Sequence, residues 1–226
     1  MNDTQRSALD AAMTQRPLVA ILRGVEPNEV DAVFDALVEV GFRMIEIPLN
    51  SPDPWRSLER ITARCPDNVV IGAGTVLDPA ACRRLAALNA SLVVTPNTDP
   101  AVIGEAVAQS LAPFIGCMTP TEALTAVRAG AHALKLYPAA RLGIDYFRDT
   151  RAILPASMPV LAVGGIELSN MEEWRAAGID GFGFGGSLYK PRRAPADIAH
   201  RGRDLIAEWQ RSGGGPHAPG AGVTAT

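Results

Sequence analysis

The stretch MPVLAVGGIELSNMEEWRAAGIDGFGFGGS, from Met158 to Ser187, holds two apolar segments of strand length, each closed by a glycine pair, with a helix-period segment between them. Near-continuous hydrophobic runs are how strands buried on both faces of a parallel sheet read. Working back along the chain, the same unit recurs as LVAIL from Leu18, RMIEIPL from Arg43, NVVIGAG from Asn68, SLVVTP from Ser91, APFIGCM from Ala112 and ALKLYP from Ala133. Together these make eight segments, starting about 21 to 26 residues apart, the pitch of tight βα units. The expected fold is therefore α/β, a (β/α)₈ TIM barrel. The alternative, an open doubly wound sheet, usually stops at about five or six strands.

Helix boundaries carry chemistry of their own. Asp78-Pro79 and Asp99-Pro100 each offer an N-cap acceptor followed by proline at the first helical position. Thr119 with Glu122, and Ser169 with Glu172, have capping-box spacing. Gly41, Gly130 and Gly178 follow helical segments, where a left-handed residue closes a helix. A helix from Thr4 to Gln15, within residues 1–16, is expected to cover the barrel bottom through Leu9 and Met13. The barrel should occupy 17–211, ending in a helix that buries Ile198, Leu205, Ile206 and Trp209. The composition then changes to SGGGPHAPGAGVTAT, so 212–226, with His217, is expected to be a disordered tail. Trp55, Trp174 and Trp209 are assigned to helix packing.

The 226 residues carry 21 basic against 24 acidic side chains, a net charge of −3, with no block of like charge. That balance argues against nucleic acid or a membrane surface as partner and favours a small molecule. No apolar run approaches the roughly 18 residues of a spanning helix, and the N-terminus lacks the pattern of a signal peptide, so a cytoplasmic protein is expected. Cys65, Cys82 and Cys117 suit a reducing compartment, and the scattered His132, His200 and His217 form no metal-binding pattern. Neither metal nor other cofactor is expected. Only two of the 21 basic residues are lysines, Lys135 and Lys190.

In a barrel of this kind the active site lies at the C-terminal ends of the strands. Arg23, Glu46, Thr75, Thr95-Pro96-Asn97 and Lys135 all fall on that rim. An ammonium within ALKLYP is costly unless it faces a polar mouth or loses its proton, and a neutral amine attacks a carbonyl to form a Schiff base. The plainer alternative is an ion pair with Glu46. Glu46, in MIEIPL, has three readings: structural partner, metal ligand or proton carrier. Gly164-Gly165 and Gly183-Phe184-Gly185-Gly186-Ser187 sit where loops seven and eight of this fold cradle phosphate. Lys190, beside Arg192 and Arg193, reads as solvated surface, the other reading being added positive potential near a phosphate, and Tyr137 and Phe114 read as core or pocket lining.

Seven motifs in order extend this reading: AILRG at Ala20, EIPLNSP at Glu46, IGAGTV at Ile71, TPN at Thr95, GCMTPTEA at Gly116, LKLYPA at Leu134 and AVGGI at Ala162. From about Pro17 to Tyr189 the chain resembles the bacterial 2-keto-3-deoxy-6-phosphosugar aldolases of the KDPG/KHG aldolase family, class I enzymes on a (β/α)₈ barrel. The resemblance implies that Lys135 forms the Schiff base, Glu46 is the general acid/base and Arg23 contacts substrate. It implies that Thr75, Thr95 and Pro96 line the pyruvyl end, and that Gly164, Gly165, Gly185, Gly186 and Ser187 bind phosphate.

Asn50, Thr95-Pro96-Asn97 and Val163 stand where the gluconate branch has an arginine, SPG and a threonine, so the departures favour the galactonate branch. Val163 removes one hydroxyl that can tell the C4 epimers apart. Gly185-Gly186-Ser187 departs the other way. The implied reaction splits 2-dehydro-3-deoxy-6-phospho-D-galactonate into pyruvate and D-glyceraldehyde 3-phosphate, in a homotrimer. The gluconate epimer, or both epimers, is the nearest alternative. Outside this chemistry stand a non-covalent phosphosugar isomerase and a non-catalytic phosphate-binding barrel.

Overall fold

The structure, a computed structural model, describes residues 1–213. Eight parallel strands close into a barrel in sequence order: β1 (Leu18–Ile21), β2 (Met44–Pro48), β3 (Val70–Gly74), β4 (Leu92–Val94), β5 (Ala112–Cys117), β6 (Ala133–Leu136), β7 (Val160–Val163) and β8 (Gly181–Phe184), which pairs with β1. The helices outside are α2 (Val30–Val40), α3 (Pro54–Thr62), α4 (Pro79–Ala87), α5 (Pro100–Ala108), α6 (Pro120–Ala129), α7 (Ala139–Leu142), α8 (Ile144–Arg151), α9 (Leu168–Ala176) and α10 (Pro195–Arg211). An additional helix, α1 (Asp3–Gln15), precedes the barrel. Among the described residues no helix is long and apolar enough to cross a membrane.

Strand side chains alternate between two cores. Leu18 and Ala20, Ile45 and Ile47, Leu134 and Leu136 face the helices, whereas Val19, Ile21, Met44, Leu92, Phe114, Ala133, Leu161 and Val163 fill the barrel interior. The second group packs on Ala8, Leu9 and Ala12 of α1, with Met13 partly buried beside them. Helix α1 therefore plugs the N-terminal mouth, and Leu9, 1% exposed, contributes about 2 kcal/mol of apolar burial there. The opposite mouth is left for chemistry.

Asp78 and Asp99 cap α4 and α5 by accepting from Ala80 and Ala101 N–H, each at 2.8 Å. Thr119 and Glu122 complete a capping box on α6. The expected box at Ser169 and Glu172 does not form, because α9 starts at Leu168 and places Ser169 inside the helix. Asn170 stands in: its Oδ1 accepts from Glu167 N–H at 3.0 Å and its Nδ2 donates to Gly165 O at 2.9 Å. Ile198, Leu205, Ile206 and Trp209 are buried on α10 as expected, and Trp174 and Trp209 are nearly fully buried while Trp55 is half-buried. Ser212 caps α10; the rest of the expected tail after Gly213, His217 included, lies outside the described residues.

Candidate active site

Strand alternation places the two ionisable side chains inside the barrel. On β2, Met44 faces inward and Ile45 outward, so Glu46 shares the side of Met44; on β6 the inward Ala133 does the same for Lys135. Strands β2 and β6 stand four apart in the eight-stranded ring, on opposite sides of it. Glu46 is 1% exposed and Lys135 6%. They form no ion pair within 4 Å among the described residues, so a purely structural pairing is not what the geometry contains.

The electrostatics follow from burial. Desolvation pushes the Glu46 carboxyl up to about 7, against the opposing pull of Lys135 and, more weakly, Arg23. Its Oε2 is buried with no hydrogen-bond partner. Desolvation holds the Lys135 ammonium below its ordinary range, opposed by Glu46 and assisted by Arg23. Both shifts favour the neutral forms, and the Glu46 carboxyl exchanges its proton near neutrality.

The mouth is hollow because glycine occupies inward positions there. A Cβ on Gly74 would stand 1.6 Å from Glu46 Oε2, so only glycine leaves room for that carboxylate. Gly74→Ala is expected to swing Glu46 aside and lower kcat/KM about 100-fold, the scale of a misplacement of about 1 Å. Circular dichroism of the variant should show an intact barrel, and an activity within threefold of wild type would refute this role. Gly183 faces Val163 and Ile21 across the same space.

A cavity of about 360 Å³ opens here, lined in part by Arg23, Lys135, Tyr137, Val163, Gly165 and Lys190. Gly164, Gly185, Gly186 and Ser187 also line it. Beneath it a narrow apolar gap reaches Glu46 and Phe114. After β7, Gly164 and Gly165 are both left-handed, with φ of 93° and 75°. A Cβ on Gly165 would lie 2.6 Å from Ala140 Cβ, so a side chain is excluded on space as well as on φ. The loop after β8 turns at Gly185, whose carbonyl accepts from Leu188 and Tyr189 N–H.

Arg23 reaches over the rim. Its Nη1 donates to Asn50 Oδ1 at 2.8 Å and its Nη2 to Thr75 Oγ1 at 3.4 Å. Thr75 is β-branched yet sits at φ 53°, a strained conformation of the kind that gathers at functional sites. Thr75 thus joins the site through Arg23. Thr95 and Pro96 do not line the cavity. The Thr95 hydroxyl donates to Asn97 O at 2.6 Å and accepts from Gly116 N–H at 3.0 Å, with the residue fully buried, so it braces loop four against β5.

The role of Asn50 escaped the sequence, and at Tyr137 and Lys190 the structure takes the less favoured of two readings. Tyr137 is 41% exposed, and its ring lies 5.1 Å from Lys135 Nζ rather than in the core. Asn50 holds Arg23. Lys190 lines the cavity instead of standing in open solvent. A larger outer groove of about 860 Å³ continues outward past Glu167, Gly186, Ser187 and Lys190 to α10. Among the described residues no group of three or more His, Cys, Asp and Glu side chains is placed to hold a metal ion.

Comparison with known proteins matches residues 9–196 to the family described as KDPG and KHG aldolase. A probable 2-dehydro-3-deoxy-6-phosphogalactonate aldolase of Rhizobium meliloti (strain 1021) is 46% identical over 201 residues, 89% of this chain and 95% of that protein. The 2-dehydro-3-deoxy-6-phosphogalactonate aldolase of Escherichia coli (strain K12) is 44% identical over 199 residues, 88% of this chain and 97% of the relative. A solved structure described as native KDPGal aligns with a TM-score of 0.86 at 39% identity, covering 88% of this chain and 97% of the other.

Proposed function

The chain belongs to the KDPG and KHG aldolase family, and on that premise we propose that it reversibly cleaves 2-dehydro-3-deoxy-6-phospho-D-galactonate to pyruvate and D-glyceraldehyde 3-phosphate. The observation that carries the mechanism is a buried amine, Lys135, kept out of an ion pair and facing a buried carboxyl held near neutrality.

Neutral Lys135 Nζ attacks the C2 ketone, and loss of water from the carbinolamine leaves an iminium. As Glu46 takes the C4 hydroxyl proton, the C3–C4 bond breaks and its electron pair flows into the iminium, giving an enamine and D-glyceraldehyde 3-phosphate. Glu46 returns a proton to C3, and water hydrolyses the resulting iminium to pyruvate and free Lys135. Arg23, fixed by Asn50 and Thr75, contacts the substrate. The N–H groups of the loops after β7 and β8, at Gly164, Gly165, Gly185, Gly186 and Ser187, receive the phosphate. Val163, which lines the cavity with Lys135 and brings no hydroxyl to it, supports the galactonate epimer.

Thr95 and Pro96 act from behind Gly116 in this scheme. The enzyme works as a homotrimer in the cytoplasm, a compartment that three free cysteines support.

Incubation with pyruvate and borohydride tests the chemistry, and kcat/KM on the two C4 epimers tests the substrate. Expected are a reduced pyruvyl adduct mapped to Lys135 and faster turnover of the galactonate epimer. An unlabelled protein, or label on Lys190 alone, would sink the imine mechanism, and faster turnover of the gluconate epimer would reverse the substrate assignment.

A further inference from the structure

We propose that Lys190 is the side chain that makes this site select a phosphorylated substrate, a reading that rests on the aldolase function above. The segment carrying it is pinned on both sides. Tyr189 is 2% exposed and its Oη donates to Glu29 Oε1, while Pro191 packs against Gly24, where an added Cβ would come within 2.9 Å of Pro191 Cγ. Between these anchors Lys190 folds back over the glycine turn, its Cε 3.8 Å from the position a Cβ on Gly186 would take. It lines the inner cavity together with Lys135 and also the outer groove, so it stands where the two meet.

The neighbouring guanidiniums are fixed in place by hydrogen bonds to neutral oxygens, which hold their positions without cancelling their charge. Arg193 Nη1 donates to Leu188 O at 2.7 Å and Arg201 Nη1 to Ser187 O at 3.4 Å, bracing the turn. Arg23 is held by Asn50 and Thr75, and Lys135 becomes an imine. Among the described residues Lys190 has no ion pair within 4 Å. The cavity's other charged lining residue is an acid, Glu167. Backbone N–H groups supply dipoles without net charge, whereas a phosphate monoester carries about −1.5 to −2. An ammonium on a flexible stem suits that load as a movable point charge. Lys190 supplies it.

Lys190→Met and Lys190→Arg, each assayed on the 6-phosphorylated sugar acid and on the same sugar acid without phosphate, test this. The Met variant is expected to raise KM for the phosphorylated substrate about 10- to 100-fold, the scale of one charge-assisted hydrogen bond, with kcat changed much less. The ratio of kcat/KM between the two substrates should collapse by a similar factor, and Lys190→Arg should restore most of it. An unchanged ratio in a Met variant that still takes a pyruvyl label on Lys135 would overturn the role of Lys190 alone. Equal losses on both substrates would also overturn it. Wild-type protein that neither labels nor cleaves would overturn the aldolase reading and this one with it.

Discussion

Lys135→Ala is expected to lower kcat/KM for cleavage by roughly 10⁵-fold or more, because the covalent route that carries most of the acceleration disappears with the amine. Few substitutions so deep in a core leave a fold intact, and this one should. The side chain removed is one whose charged form burial disfavours, and losing its attraction pushes the buried Glu46 carboxyl further toward its neutral form, which leaves no charge stranded. Ala133 and Leu134 on the same strand retain both cores. The thermal midpoint should therefore stay within a few degrees, and the pyruvate–borohydride adduct should vanish. Retention of more than about 1% of activity would rule out Lys135 as the imine former. Loss of activity in a protein whose wild-type parent never takes the label would instead fit acid/base chemistry without covalency.

The barrel was legible because each strand is a short apolar run punctuated by helix-start chemistry that acts locally, as at Asp78, Asp99 and Thr119. Alternation was harder to read. Both faces of these strands are buried, so Ile45 and Ile47 look like Met44 in sequence, and only the single charges at Glu46 and Lys135 reveal which side faces inward. Those two residues were legible for the same reason: a charge in an apolar strand has to be explained. What stayed hidden depends on contacts between loops far apart in the chain. Asn50 and Thr75 matter through Arg23, 27 and 52 residues away. Gly74 matters because the neighbouring strand sends Glu46 into the space a Cβ would fill. Thr95 lies on the rim and the resemblance puts it at the pyruvyl end; what the sequence does not show is that its hydroxyl bonds Asn97 O and Gly116 N–H. Ser169 had the right spacing for a cap, but the helix starts two residues earlier, with Glu167 at the N-cap, and Asn170 takes over the capping bond.

Glu46→Gln is expected to slow cleavage by about 10² to 10⁴-fold, the usual worth of a positioned general acid/base, and to make the protein more stable at alkaline pH. The two effects have one origin. Burial raises the Glu46 carboxyl to about 7 from a reference value of 4.5. Between those values the folded protein holds a proton that the unfolded chain has released, so stability is fully present below about 4.5 and falls as pH rises through 7. Glutamine keeps the shape without the buried charge. The variant should match wild type in stability near pH 4.5 and exceed it at pH 8 by on the order of 1–3 kcal/mol, read from urea unfolding at the two pH values. In wild type, acidification below about 7 protonates Glu46, and the rate should fall because the carboxylate that takes the C4 hydroxyl proton is lost. Pyruvate should still label Lys135 in the glutamine variant, because the amine that forms the imine remains. A Glu46→Gln variant that is less stable than wild type at pH 8 would mean that the carboxylate is held by favourable contacts rather than stranded by burial, and one that cleaves at the wild-type rate would remove Glu46 from the proton transfers.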